Sequence, residues 1–255
     1  MTQSDTARTF AELHRPGTPL ILYNAWDTGS AKAIAKAGAP AIATGSWSLA
    51  HAQGFDDGQD MPLEFALHIL ARITASVDLP VSFDFEAGYS DDLGTLATNM
   101  ERVIAAGAVG INFEDRVIGG AGLLAAPIQA ERIAALRKAA KSTGVPIFIN
   151  ARCDIFFQGA KPDAHPALMA EAIERAQIYA DAGADGLFVP GLVTPELINE
   201  ICAATSLPVN IMQTGKAPDH QTLADLRVAR ISHGPSPYLT AMAGVTEAAK
   251  AALAL

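Results

Sequence analysis

Cysteine is nearly absent: Cys153 and Cys202 are the only two in a chain of 255 residues. Two thiols so far apart suggest neither a disulfide framework nor a zinc site. No apolar run approaches the roughly 20 residues of a membrane-spanning helix, and segment 1–17 is polar, carrying Asp5 and Glu12 where a signal peptide needs an apolar core. Positive charge is scarce too. With 18 Lys and Arg against 27 Asp and Glu the net charge is −9, and no local Lys/Arg cluster supplies the basic surface that nucleic acid demands. These absences predict a cytoplasmic protein that engages neither membrane nor nucleic acid. An anionic ligand would need local help from a metal, an Arg or backbone N–H groups. No G-x-G-x-x-G opens any helix, which counts against an open dinucleotide-binding sheet.

Apolar residues make up 50% of the chain, enough for one large core, and the expected organisation is one domain spanning 1–255 with a short N-terminal arm. One unit recurs along it. Ala37-Gly38-Ala39, Ala106-Gly107-Ala108 and Ala182-Gly183-Ala184 each precede a short apolar run, as a helix C-cap precedes a buried parallel strand. Leu79-Pro80, Val145-Pro146 and Leu207-Pro208 make the same break with proline. Six strands follow from these breaks; with the apolar runs 20–24 and 229–232 added, the predicted strands are 20–24, 41–44, 81–85, 109–113, 147–151, 185–189, 208–212 and 229–232. Eight strands alternating with helical patterns predict a (β/α)8 TIM barrel of the α/β class. Asp27 is placed to cap a helix running to about Ala37. Leu63, Leu67, Leu70 and Ile73 have the spacing of a helix's core face, as do Ile133, Leu136 and Ala140.

Val81 to Tyr89 reads Val-Ser-Phe-Asp-Phe-Glu-Ala-Gly-Tyr, a buried strand running into two carboxylates. Two residues apart, Asp84 and Glu86 point to one side. Burying them costs several kcal/mol each unless a cation or strong donors compensate, and no Lys or Arg is adjacent. A divalent metal is one explanation; a pair of solvated strand-end acids is the other. At the strand ends of a barrel, Ser46, Glu114, Arg152 and Asn210 converge with them on one mouth, and Asp57 lies in the long connection 45–61. Mg2+ takes oxygen ligands and keeps several waters, so one direct carboxylate suffices, with the others holding waters. Arg152 offers a bidentate fork for a substrate carboxylate. Each residue also has a plainer reading: Glu114 paired with Arg116, Arg152 with Asp154, and Asp57 as a solvated acid in the turn Asp56-Asp57-Gly58. His51, His165, His220 and His233 lack metal-ligand spacing and read as surface or loop residues, and Cys153 reads as packing.

Four ordered motifs together resemble the isocitrate lyase and phosphoenolpyruvate mutase superfamily, in its carboxyvinyl-carboxyphosphonate phosphorylmutase-like branch. They are Gly45-Ser46 with Gly54-Phe55-Asp56-Asp57, then Asp84-Phe85-Glu86-Ala87-Gly88-Tyr89, then Gly110-Ile111-Asn112-Phe113-Glu114-Asp115, and finally Asn150-Ala151-Arg152. The resemblance implies a Mg2+-dependent barrel, Mn2+ being a possible substitute, that makes or breaks C–C or P–C bonds beside a 2-oxo acid through an enolate. It implies Asp84 as the direct metal ligand with Glu86 and Glu114 supporting through water. It gives Asp57 and Arg152 catalytic roles, with Ser46, Trp47, Arg152 and Asn210 as substrate contacts. It also implies a homo-oligomer, dimer or tetramer, in which the C-terminal helix 236–255 is exchanged between subunits. Departures are concentrated at the reacting end. The loop Asp115 to Ala126 has none of the Cys, Lys and His of the lyases, nor the Lys and Asn of the phosphonate enzymes. A family His is replaced around Pro190, and Glu86 stands where Asp is usual. The expected activity is C–C lyase action on a small 2-oxo or 2-hydroxy acid. The alternatives are P–C chemistry on a phosphonate, a pyruvate-type aldolase, or a barrel that binds a 2-oxo acid without turning it over.

Overall fold

The computed structural model describes residues 2–158 and 161–254. Among the described residues, nine short parallel strands alternate with helices. β1 (Leu20–Leu22) and β2 (Asn24–Ala25) are followed by α2 (Thr28–Lys36) and β3 (Ile42–Thr44), then by α3 (Ser46–His51) and α4 (Leu63–Thr74). Next come β4 (Val81–Asp84), α5 (Leu93–Ala105), β5 (Gly110–Glu114), α6 (Ala126–Thr143), β6 (Phe148–Arg152) and α7 (His165–Asp181). The chain ends with β7 (Gly186–Phe188), α8 (Pro195–Ala204), β8 (Val209–Met212), α9 (His220–Asp225), β9 (Arg230–Ser232) and α10 (Ser236–Leu253).

Only Tyr23 separates β1 from β2. β1 pairs with β9 and β2 with β3, so these two pieces are one split strand through which the sheet closes on itself. The result is the expected eight-position barrel, and each predicted strand lies within a residue or two of an observed one. Asp27 caps α2 as expected, its Oδ1 accepting from the Ser30 N–H at 2.7 Å. The predicted core face of α4 is buried, with Leu70 and Ile73 fully so, and each such side chain contributes roughly 1.5–3 kcal/mol of hydrophobic stabilisation.

Two regions differ from expectation. The N-terminal arm contains a helix, α1 (Gln3–Glu12), started by a capping box between Thr2 and Asp5. Its Phe10 is fully buried at the amino ends of β5 and β6, 5.8 Å from the Phe148 ring, and His14 stacks on Phe148 at 4.0 Å. Gly110 makes room for this plug, since a Cβ there would lie 2.5 Å from the Phe10 ring. Only Ala7 and Phe10 of α1 are buried, so its polar composition hid the contact. The second difference is His165, which is buried at the start of α7 beside Phe156 and is not the surface residue its spacing suggested. At the other terminus, Pro237 is the only buried residue of α10, while Leu239, Met242 and Val245 are exposed.

Candidate active site

The carboxyl ends of the strands surround a cavity of about 220 Å3. Its wall includes Asn24, Ser46, Asp57, Asp84, Asn112 and Arg152, and the apolar Trp47, Phe157, Phe188 and Met212. A depression of about 700 Å3 at the opposite end, bordered by Gln3, Thr6 and Val109, has Asp78 as its only charged side chain. The chemistry-bearing residues are therefore gathered at the carboxyl-end mouth, as in barrel enzymes generally.

Asp84 ends β4. Its N–H donates to Thr44 Oγ1 at 2.9 Å, and its Oδ2 accepts from the Ser46 N–H at 2.9 Å. Oδ1 is buried and has no hydrogen-bond partner. A buried carboxylate oxygen left unmet costs on the order of 1–3 kcal/mol or more, so this atom is suited to a cation. Ser46 Oγ reaches Asp57 Oδ1 at 3.3 Å, linking the first long connection to the same corner.

Glu86 lies just past the strand and turns away from the cavity wall. Its Oε1 accepts from Tyr89 OH at 2.8 Å and its Oε2 from the Gln59 N–H at 2.8 Å. Glu86, Tyr89 and Gln59 all have positive φ, at 50°, 61° and 68°. Three non-glycine residues in the left-handed region, each costing of order 1–3 kcal/mol, meet around one carboxyl group. Burial and the neighbouring Asp84 charge push the Glu86 carboxyl up to about 7. The Tyr89 phenol is raised by burial and by Glu86.

Glu114 and Arg152 face each other at the ends of β5 and β6, with Arg152 Nη1 2.8 Å from Glu114 Oε2. Arg116 Nε lies 3.2 Å from Glu114 Oε1, an ion pair without hydrogen-bond geometry. Burial raises the Glu114 carboxyl, and the two guanidiniums pull the other way. Arg152 also grips Asp154 with both prongs, Nε to Oδ1 at 2.6 Å and Nη2 to Oδ2 at 2.8 Å, and packs against the rings of Phe157 and Phe188. The ion-pair reading of Arg152 is thus realised, with Asp154 and Glu114 as partners, and the side chain also borders the cavity.

Of the residues singled out in the sequence, Ser46, Trp47, Asp57, Asp84 and Arg152 share the cavity wall. Glu86 and Glu114 stand behind it. Asn210 is fully buried beneath it, its Nδ2 donating to Ser232 Oγ at 3.1 Å. Among the described residues no three His, Cys, Asp or Glu form a ligand set by themselves, and Asp84 Oδ1 is the buried carboxylate oxygen among them at this mouth with neither a hydrogen-bond nor an ion-pair partner. Asn24, Asn112 and Ser232 were missed as wall residues. Asn112 had a usable signal, a polar residue between Ile111 and Phe113 in a fully buried strand.

The model of the phosphoenolpyruvate phosphomutase family matches residues 10–253, and the chain belongs to that family. Among individual proteins, it is 33% identical over 243 residues to an uncharacterized protein of Mycobacterium tuberculosis, covering 95% of this chain and 88% of the relative. It is 30% identical over 189 residues to oxaloacetate decarboxylase of Bradyrhizobium sp., covering 71% of this chain but only 62% of that enzyme. A crystal structure of a provisionally assigned phosphonomutase from Burkholderia cenocepacia J2315 superposes with TM-score 0.95 at 45% identity, covering 98% of this chain and 100% of that one. Phosphonopyruvate hydrolase in complex with oxalate and Mg2+ shares the fold, with TM-score 0.83 at 21% identity over 97% of this chain and 85% of that one.

Proposed function

We propose that the chain is a Mg2+-dependent lyase that cleaves the C–C bond next to a 2-oxo or 2-hydroxy acid through an enolate. The observation that carries this reading is the buried, unpartnered Asp84 Oδ1 at the head of a cavity whose wall also holds Arg152. Asp84 would hold the ion, with Glu86 and Glu114 supporting it through water. When bound, Mg2+ or Mn2+ supplies Lewis-acid stabilisation of negative charge on the oxygens of the 2-oxo acid. The chain's own groups do the rest. Arg152, fixed by Asp154 and Glu114, presents its remaining N–H donors to a carboxylate, so little orientation is lost on binding. Asp57, in contact with Ser46, is the acid group on the wall placed to exchange a proton with the substrate. Phe157, Phe188, Met212 and Trp47 exclude water around the bond that breaks, and the connection Asp115 to Ala126 is the segment placed to close over the mouth. In the cleavage the bond's electron pair passes into the enolate, and a proton is later returned to the carbon.

P–C bond chemistry is the second reading, favoured by the 45% identity to the phosphonomutase-assigned structure. Against it, Arg152 is the only cationic side chain among the described wall residues and is already shared by two carboxylates, a poor complement to a phosphonate dianion beside a carboxylate. Subunit assembly through α10 and a cytoplasmic location belong to the same proposal. Turnover of a panel of 2-oxo and 2-hydroxy dicarboxylates, oxaloacetate included, with Mg2+ and then with chelator, tests it. Chelator-sensitive cleavage lost in Asp84→Ala is expected. Turnover of phosphonopyruvate alone, followed by phosphorus NMR, would replace it with the second reading.

A further inference from the structure

Beneath the cavity lies a charge that the family motifs do not include. Arg230 projects from β9 into the barrel and is fully buried. No Asp or Glu among the described residues is within ion-pairing distance of it. Its Nη2 donates to Asn112 Oδ1 at 3.1 Å and its Nε to Ser232 Oγ at 3.3 Å, while Nη1 has no partner. Both groups it touches are on the cavity wall. A buried guanidinium whose hydrogen-bond partners are all neutral is costly in a fold judged by itself; burial lowers its pKa to about 9 while the Asp84 charge pulls it up, so it remains charged at neutral pH.

The contact with Asn112 decides which way round that amide sits. A guanidinium can only donate, so the atom Arg230 meets must be the amide oxygen, and Asn150 Nδ2 donates to the same oxygen at 2.9 Å. Asn112 Nδ2 is left with no partner among the described residues. Asn112 belongs to the cavity wall two residues before Glu114 and beside Asp84 in the sheet register. A fixed donor therefore sits at the cavity floor with a positive charge behind it, and this arrangement complements an oxygen that carries negative charge.

We propose that Asn112 is a substrate-binding residue, donating from Nδ2 to a carboxylate or enolate oxygen of the bound 2-oxo acid, and that Arg230 is the positioning residue that orients it. Arg230 acts through Asn112 and supplies the field beneath the anion. The proposal rests on the lyase reading only for the identity of the ligand.

Oxalate is the probe, titrated calorimetrically in saturating Mg2+ into the wild type, Asn112→Ala, Asn112→Asp, Arg230→Met and Arg230→Lys, with Mg2+ alone titrated in parallel. Loss of one hydrogen bond to a charged oxygen corresponds to about 10- to 100-fold weaker binding. That loss is expected for Asn112→Ala and Arg230→Met, a larger one for Asn112→Asp, and partial recovery for Arg230→Lys relative to Arg230→Met. Mg2+ affinity should stay within about twofold of wild type in Asn112→Ala, because Asn112 is not a metal ligand. Oxalate affinity unchanged in Asn112→Ala overturns the proposal while leaving the lyase reading intact. Equal losses of Mg2+ and oxalate affinity in Asn112→Ala also overturn it, by assigning the residue a structural role. No oxalate binding by the wild type overturns both. Should Arg230→Met fail to fold, Asn112→Ala alone decides.

Discussion

Replacing Arg152 with Met should destabilise the protein in a way that depends on pH. The guanidinium lies between two buried carboxylates, Glu114 at 2.8 Å and Asp154 at 2.6 Å, whose side chains are 2% and 0% exposed. Methionine keeps much of the packing against Phe157 and Phe188 but removes the charge. Breaking a buried pair by deleting one partner costs about 3–5 kcal/mol, because the other charge is left uncompensated. Here two charges lose their shared partner, and Arg116 remains near Glu114 alone. The sign of the pH effect follows from Glu114. Its folded carboxyl is already raised by burial, and losing Arg152 raises it further. An acid with a raised folded pKa contributes stability that is complete below its unfolded value and is lost as pH rises through the folded one. The slope reaches about 1.4 kcal/mol per pH unit for each proton. Urea unfolding of wild type and variant at about pH 5.5 and about pH 8 measures both effects. The expected deficit is several kcal/mol at the higher pH and visibly smaller at the lower. A loss below about 1 kcal/mol, the range of exposed pairs, or one equal at both pH values, would refute the buried-clamp description.

The Glu86 carboxyl, moved from its ordinary 4.5 to about 7, forfeits about 3 kcal/mol of stability in metal-free protein as pH rises from about 4.5 to above 7. Glu86→Gln should flatten that dependence in urea melts, and Mg2+ should protect the wild type more at about pH 8 than at about pH 5.5; a pH profile unaltered by the substitution contradicts this. Gly88→Ala should cost about 2–4 kcal/mol, since Gly88 has φ of 83° and a Cβ would lie 2.2 Å from Leu96 Cδ1. A thermal midpoint equal to wild type would show that the turn relaxes freely. Val245→Glu on the exposed face of α10, where Val245 is 60% exposed, should leave unfolding energy within about 0.5 kcal/mol. In sedimentation it should shift the protein to a smaller species; an unchanged sedimentation coefficient would remove α10 from the assembly.

The barrel was legible in the sequence because its signals are local and repeated. Six Gly or Pro breaks before short apolar runs follow from chain stiffness and helix termination, and with the runs 20–24 and 229–232 all eight strand positions could be placed without knowing what packs on what. The corner around Asp84 was legible for a similar reason, since a strand's alternation fixes which way a carboxylate points. The orientation of Glu86 was not. Its backbone has left the strand for a positive φ, and its partners Gln59 and Tyr89 come from a connection and a turn. Asn210 was expected at the mouth as a substrate contact, but strand position does not say how deep a residue lies, and it is buried beneath the wall. Arg230 was passed over because charge in a buried strand gives no local sign of which residues across the barrel it meets. Its contact with Asn112 joins positions 118 residues apart.

A crystal structure with Mg2+ and oxalate tests the proposed site most directly. The expected result is an ion in direct contact with Asp84, with Glu86 and Glu114 in its water shell and oxalate within reach of Arg152 and the Asn112 amide. An ion bound away from Asp84, or oxalate seated in the cavity with no ion beside it, would contradict the assignment of this mouth as a metal-dependent lyase centre.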